Sequence, residues 1–136
     1  MINVLLIEDN FGDVLLVKEA LAAHEIENTL HVLSDGQKAL QFVQGMGKPD
    51  SAPCPDVILI DLNLPKIDGG VVLAAIREHH ACTNTPVIVV TSSDNATDRR
   101  KARSLGVKHY FRKPSDLDGF MKLGEIVQTV LKSGPS

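Results

Sequence analysis

The chain has 136 residues, 43% of them hydrophobic, and a net charge of -3 with histidine neutral, which leaves room for one domain with its own core and none for a second. The acidic balance supplies no overall field to draw the chain to nucleic acid or acidic lipid, and no apolar run approaches the ~20 residues needed to cross a bilayer. With no basic segment leading into a long apolar stretch, a cytoplasmic protein that contacts neither membrane nor nucleic acid is expected.

In chain order, Val4-Leu5-Leu6-Ile7 reads as a strand covered on both faces. Asn10 then caps a helix in which Val14, Leu15, Val17, Leu21 and Ala22 recur at three-to-four spacing. His31-Val32-Leu33 makes a short second strand, and Asp35 caps a helix running through Ala39, Leu40 and Val43. Gly45 to Pro55, with two Gly and three Pro, is the longest loop. Val57-Ile58-Leu59-Ile60 is the third strand, and after Gly69-Gly70 a helix carries Val71, Val72, Ala75 and Ile76 to an end near His79-His80. The paired glycines loosen the start of that helix at a cost below about 1 kcal/mol each, outside the chemistry proposed below. Pro86 leads into Val87-Ile88-Val89-Val90, a fourth helix runs from Asn95 to about Leu105 with Gly106 as its stop, and Val107 to Phe111 is the last strand. Leu117, Phe120, Leu123, Val127 and Val130 line a closing helix.

Regular alternation of five strands and five helices implies right-handed crossovers and a parallel sheet with helices on both faces. The expected fold is α/β, a flavodoxin-like doubly wound (βα)5 sheet in order 2-1-3-4-5, with residues 1-136 as a single domain. In such sheets ligands bind beyond the carboxyl ends of the strands. Glu8-Asp9, Asp61, Thr91 and Lys113-Pro114 each follow a strand. Carboxylates gathered there repel until a proton or cation intervenes, and oxygen ligands on a shallow rim suit Mg2+. A carboxylate can also attack phosphorus, with a lysine ammonium and a hydroxyl balancing the charge. Singly, these residues read as a helix cap, a solvated lysine and a strand-end threonine; their agreement at four strand ends points to a site. Arg99-Arg100-Lys101 with Arg103 reads as a solvated helix face, Cys54 and Cys82 as free thiols, and the five histidines, which lack ligand spacing, as surface or helix-end residues.

Glu8-Asp9-Asn10, Asp61-Leu62-Asn63-Leu64-Pro65 with Asp68-Gly69, Thr91-Ser92-Ser93 and Tyr110-x-x-Lys113-Pro114 resemble, over essentially the whole chain, the CheY-like receiver domains of two-component response regulators. The resemblance implies that Asp61 accepts a phosphoryl group from a histidine kinase, that Asp9, Asp61 and the main-chain carbonyl of Asn63 hold Mg2+, and that Glu8 assists through water. It implies further that Lys113 pairs with the phosphoryl oxygens through a cis bond to Pro114. Thr91 and Tyr110 would form a switch acting on the fourth helix, last strand and last helix, for partner binding or a homodimer, while Asn63 and Ser93 tune the phosphoryl lifetime. Such a protein is no ordinary enzyme: it catalyses its own phosphorylation and dephosphorylation, and here it would lack an output domain. The Asp61-Leu-Asn-Leu-Pro-Lys wording, Asp13-Val-Leu-Leu-Val, the Pro-rich loop and Lys113-Pro-Ser-Asp-Leu-Asp-Gly-Phe resemble stand-alone regulators of bacterial and cyanobacterial phytochromes, which implies a light-sensing kinase as donor. Three alternatives compete. A flavin or nucleotide binder of the same fold would meet repulsion from Glu8-Asp9, a haloacid dehalogenase-class phosphatase wants a second Asp where Asn63 stands, and an interaction module would have lost phosphorylation.

Overall fold

A computed structural model describes residues 1-48 and 53-133, so part of the long loop lies outside the described residues. The elements are β1 (Ile2–Ile7), α1 (Phe11–Ala23), β2 (Asn28–Leu33), α2 (Gly36–Gly45), β3 (Val57–Ile60), α3 (Gly69–Glu78), β4 (Val87–Thr91), α4 (Ala96–Ser104), β5 (His109–Arg112) and α5 (Leu117–Ser133), with a short 3-10 turn at His80–Cys82. The five strands form one sheet in the order β2-β1-β3-β4-β5, every pair parallel, as the alternation requires.

The buried stretches of the three central strands, Val4–Ile7, Val57–Ile60 and Val87–Val90, carry no polar residue because both of their faces are covered. Val4 and Leu6 of β1, Val57 and Leu59 of β3, and Ile88 and Val90 of β4 pack against Val14, Val17 and Leu21 of α1 and Phe120, Leu123 and Val127 of α5. The alternate residues Leu5, Ile7, Ile58, Ile60, Val87 and Val89 face Val43 of α2, Val72, Leu73 and Ile76 of α3, and Ala102 of α4. The period of two thus divides the interior into two cores separated by the sheet.

Helix starts follow the capping expectations: Asn10, Asp35 and Asn95 accept from backbone N–H groups in the first turns of α1, α2 and α4. Strand ends deviate. β2 begins at Asn28, earlier than its apolar run, because this edge strand pairs Asn28, Thr29 and Leu30 with Ile2, Asn3 and Val4. β5 begins at His109, later than expected: Gly106 takes a φ of +75°, and Val107 N donates to Ala102 O, so Val107 completes the end of α4 before the strand starts.

Cys54 and Cys82 are not free thiols. They form a disulfide, with Cα atoms 5.6 Å apart across a separation of 28 residues. One lies just before β3 and the other just before β4; those strands are neighbours, so their entry segments converge at the rim opposite the carboxyl ends.

Candidate functional site

β1, β3, β4 and β5 deliver Glu8, Asp61, Thr91 and Lys113 to one rim. Glu8, Asp61 and Lys113 follow β1, β3 and β5 and Thr91 ends β4; because all the strands are parallel, with Ile7 paired to Ile60 and Thr91 to Arg112, these ends lie on the same edge of the sheet. Lys113 N donates to Thr91 O at 2.8 Å, which fixes its main chain beside β4. Its Nζ then reaches past β4 to the ends of β3 and β1, 2.7 Å from Asp61 Oδ2 and 2.8 Å from Glu8 Oε1.

Asp61 is 5% exposed. Its Oδ2 accepts from the ammonium and its Oδ1 from Asn63 N at 2.9 Å. Glu8 is 2% exposed and accepts from Asn10 N at 3.2 Å as well as from Lys113. Its contact with Lys113 is therefore direct. Burial, with the nearby Asp61 charge assisting, pushes the Glu8 carboxyl from 4.5 up to about 7, against the lowering pull of Lys113 and Asn10 N. Burial also works against the Lys113 ammonium, but hydrogen bonds to Asp13, Asp61 and Glu8 outweigh it and hold the group above the ordinary lysine range. The two shifts agree: one cation divided among three carboxylates is well compensated, while each anion receives a share of it. Glu8, Asp9 and Asp61 can each offer an oxygen within 4.8 Å of the others, with Asp9 on the exposed side. An all-oxygen set of this kind matches a hard divalent ion.

Asp13 is the residue that sequence reasoning missed. It lies in the first turn of α1, and its Oδ2 sits 2.7 Å from Lys113 Nζ. Side chains in a helix lean toward its N-terminus, so a first-turn carboxylate just after β1 leans back over the strand ends. That spacing was the available signal.

Thr91 is fully buried, and its hydroxyl accepts from Ser93 N at 3.4 Å. Ser93 joins this corner to its surroundings: its Oγ donates to Asp98 at 2.7 Å, and its carbonyl accepts from the Tyr110 hydroxyl at 2.9 Å. Burial raises the Tyr110 phenol above its ordinary range. Arg99 lies over the Tyr110 ring, 4.4 Å from its centroid, and pairs with Asp94 at 2.6 Å; Asp94 also meets Arg112. This member of the basic run is a packing partner of Tyr110 as well as a solvated charge.

Two expectations need correction. No peptide bond among the described residues is cis, so Lys113–Pro114 is trans; Lys113 already satisfies both its N–H and its ammonium in the isomer that X–Pro bonds favour by about 0.5–1 kcal/mol. Gly69 is also closer to the site than expected. A Cβ there would overlap the carbonyl oxygen of Asp61 and the Cα of Leu62, so the missing side chain lets α3 close against the backbone that carries Asp61.

The "Response regulator receiver domain" family model matches residues 4–124. The chain is 37% identical over 126 residues to Response regulator Rcp1 of Synechocystis sp., covering 93% of this chain and 86% of the relative. It superposes on the Mn(2+)-bound form of Rcp1 with a TM-score of 0.86, 36% identity and full coverage of both chains. The phosphorylated cyanobacterial phytochrome response regulator RcpA superposes with a TM-score of 0.85 at 32% identity, covering 97% of this chain and 94% of that one.

Proposed function

The chain belongs to the response regulator receiver domain family, and from that premise we propose that it is a receiver whose Asp61 takes a phosphoryl group from the phosphohistidine of a histidine kinase. The observation that carries this reading is Lys113 Nζ at 2.7 Å from Asp61 Oδ2, on a rim where Glu8, Asp9 and Asp61 gather their oxygens. Asp9, Asp61 and the main-chain carbonyl of Asn63 would hold Mg2+, with Glu8 reaching it through water. When bound, the ion supplies the positive charge against which an anionic donor and Asp61 approach each other.

In the transfer, an Asp61 carboxylate oxygen forms a bond to phosphorus as the bond from phosphorus to the donor imidazole nitrogen breaks, and the electron pair leaves with that nitrogen. Lys113 holds Asp61 in place and offers N–H groups to the phosphoryl oxygens. The arriving group carries about −1.5 to −2 charges and three acceptor oxygens. The Thr91 hydroxyl, engaged only at 3.4 Å by Ser93 N, turns to donate to one of them. Ser93 moves with it, and with Ser93 the acceptor of the Tyr110 hydroxyl. Thr91 and Tyr110 thereby act as the switch, and α4, β5 and α5 form the responding face for a downstream protein or a second copy. Asn63 and Ser93 border the phosphoryl group and tune its lifetime, which ends when the protein hydrolyses it. The phytochrome response regulators among the relatives support a light-sensing kinase as donor in the cytoplasm.

Incubation with Mg2+ and acetyl phosphate tests the reading by intact mass. A gain of one phosphoryl group, acid-stable, base-labile and missing from Asp61→Asn, is expected. No gain in the unsubstituted protein would leave an interaction module of the same fold.

A further inference from the structure

We infer that Asp13 is a positioning residue that ties down Lys113 until the phosphoryl group arrives and so sets how readily an anionic donor enters; the inference rests on the reading of Asp61 as phosphoacceptor. An ammonium has three N–H donors. Here three carboxylates take them: Asp13 Oδ2 at 2.7 Å, Asp61 Oδ2 at 2.7 Å and Glu8 Oε1 at 2.8 Å. None is left for a phosphoryl oxygen. The lysine main chain cannot yield, because its N–H is held by Thr91 O. One carboxylate must therefore release the ammonium when phosphorus bonds to Asp61.

The three differ in what release costs. Glu8, at 2% exposure, would remain as a buried anion short of a partner, and Asp61 bonds to phosphorus through one oxygen and keeps its other, Oδ2, on the ammonium. The Asp13 side chain is 24% exposed, so water replaces the ammonium there with little penalty. Asp13 is thus the partner that gives way. Its charge acts a second time, because its Oδ2 lies within two hydrogen-bond lengths of an Asp61 oxygen and repels the incoming anion. One unit charge at that range, in a medium between protein surface and water, changes the affinity for a singly charged group by about three- to tenfold.

The test uses the whole chain at saturating Mg2+, with acetyl phosphate as donor: an Asp61 oxygen bonds to phosphorus, the P–O bond to the acetyl group breaks, and acetate leaves with the electron pair. Initial rates of phosphorylation are read by intact mass. Asp13→Asn is expected to lower KM about three- to tenfold with kcat changed less than about twofold, and ~1 M salt, where the screening length is about 3 Å, to narrow the difference. Asp13→Glu moves KM back toward the unsubstituted value. Glu19→Gln, which removes the same charge from an exposed position on α1, leaves KM alone. In metal-free protein, acylation of Lys113 by an N-hydroxysuccinimide ester, read by peptide mass spectrometry, is faster in Asp13→Asn. If either KM or the acylation rate is unmoved while the unsubstituted protein is phosphorylated, the role of Asp13 is overturned and Asp61 keeps its own. Failure of the unsubstituted protein to take the phosphoryl group overturns both.

Discussion

Replacing Glu8 by glutamine should make the metal-free protein more stable. The Glu8 carboxyl is displaced from 4.5 to about 7 in the fold, and each unit corresponds to about 1.36 kcal/mol. Because the folded pKa is the higher one, the native state binds the proton more tightly than the unfolded chain does. Stability from this group is fully present below 4.5 and is lost as pH rises through about 7. At pH 8 the ionised side chain costs about 3 kcal/mol, which glutamine avoids while keeping the shape of the neutral acid. For a chain of 136 residues that is a rise in Tm of about 10 °C. The assay is urea and thermal unfolding of both proteins in EDTA at pH 5, 6.5 and 8. The gain should shrink to less than about 1 kcal/mol at pH 5, where the native Glu8 already holds its proton. Added Mg2+ should narrow the gap at pH 8, since binding to the native state stabilises the unsubstituted protein. A gain that is absent, or equal at pH 5 and pH 8, would refute the reasoning.

Three further outcomes can be measured. Cys54→Ser with Cys82→Ser reopens a loop spanning 28 residues and should lower the unfolding free energy by about 3.6 kcal/mol on the chain-entropy account; a loss below about 1 kcal/mol would contradict it. Gly69→Ala drives a methyl group into the Asp61 carbonyl, with an expected loss of about 1–3 kcal/mol and slower phosphorylation of Asp61, whereas wild-type rates would show that α3 can move aside. Tyr110→Phe deletes the hydroxyl that meets Ser93 O at 2.9 Å, at about 1 kcal/mol. Because the chain has one tyrosine, ultraviolet titration reads its phenol directly, and the midpoint should lie above the ordinary value in the fold and return to it in urea.

The parts of the fold legible in the sequence are those where neighbours impose a period. β1, β3 and β4 declare themselves because both faces are buried and the runs Val4–Ile7, Val57–Ile60 and Val87–Val90 stay apolar, and the helix starts because Asn10, Asp35 and Asn95 are of the few residue types that satisfy free N–H groups. The edges were less readable. At β2 the first residues are held by backbone pairing, to which a polar Asn28 or Thr29 is no obstacle. The Cys54–Cys82 bond was hidden for a related reason: linear separation says nothing about two segments that enter adjacent strands. At the rim, the residue types at strand ends revealed Asp61, Lys113 and Glu8, while Asp13 belongs to a helix and joins them through the lean of its side chain.

The sheet that divides the interior also divides the consequences of mutation. Phe120 and Val17 share no core with Ile76 or Ala102, so a large-to-small change on one side and a second on the other should give free-energy losses that sum without a coupling term. Either flank can therefore acquire a new partner's surface while the opposite flank stays untouched.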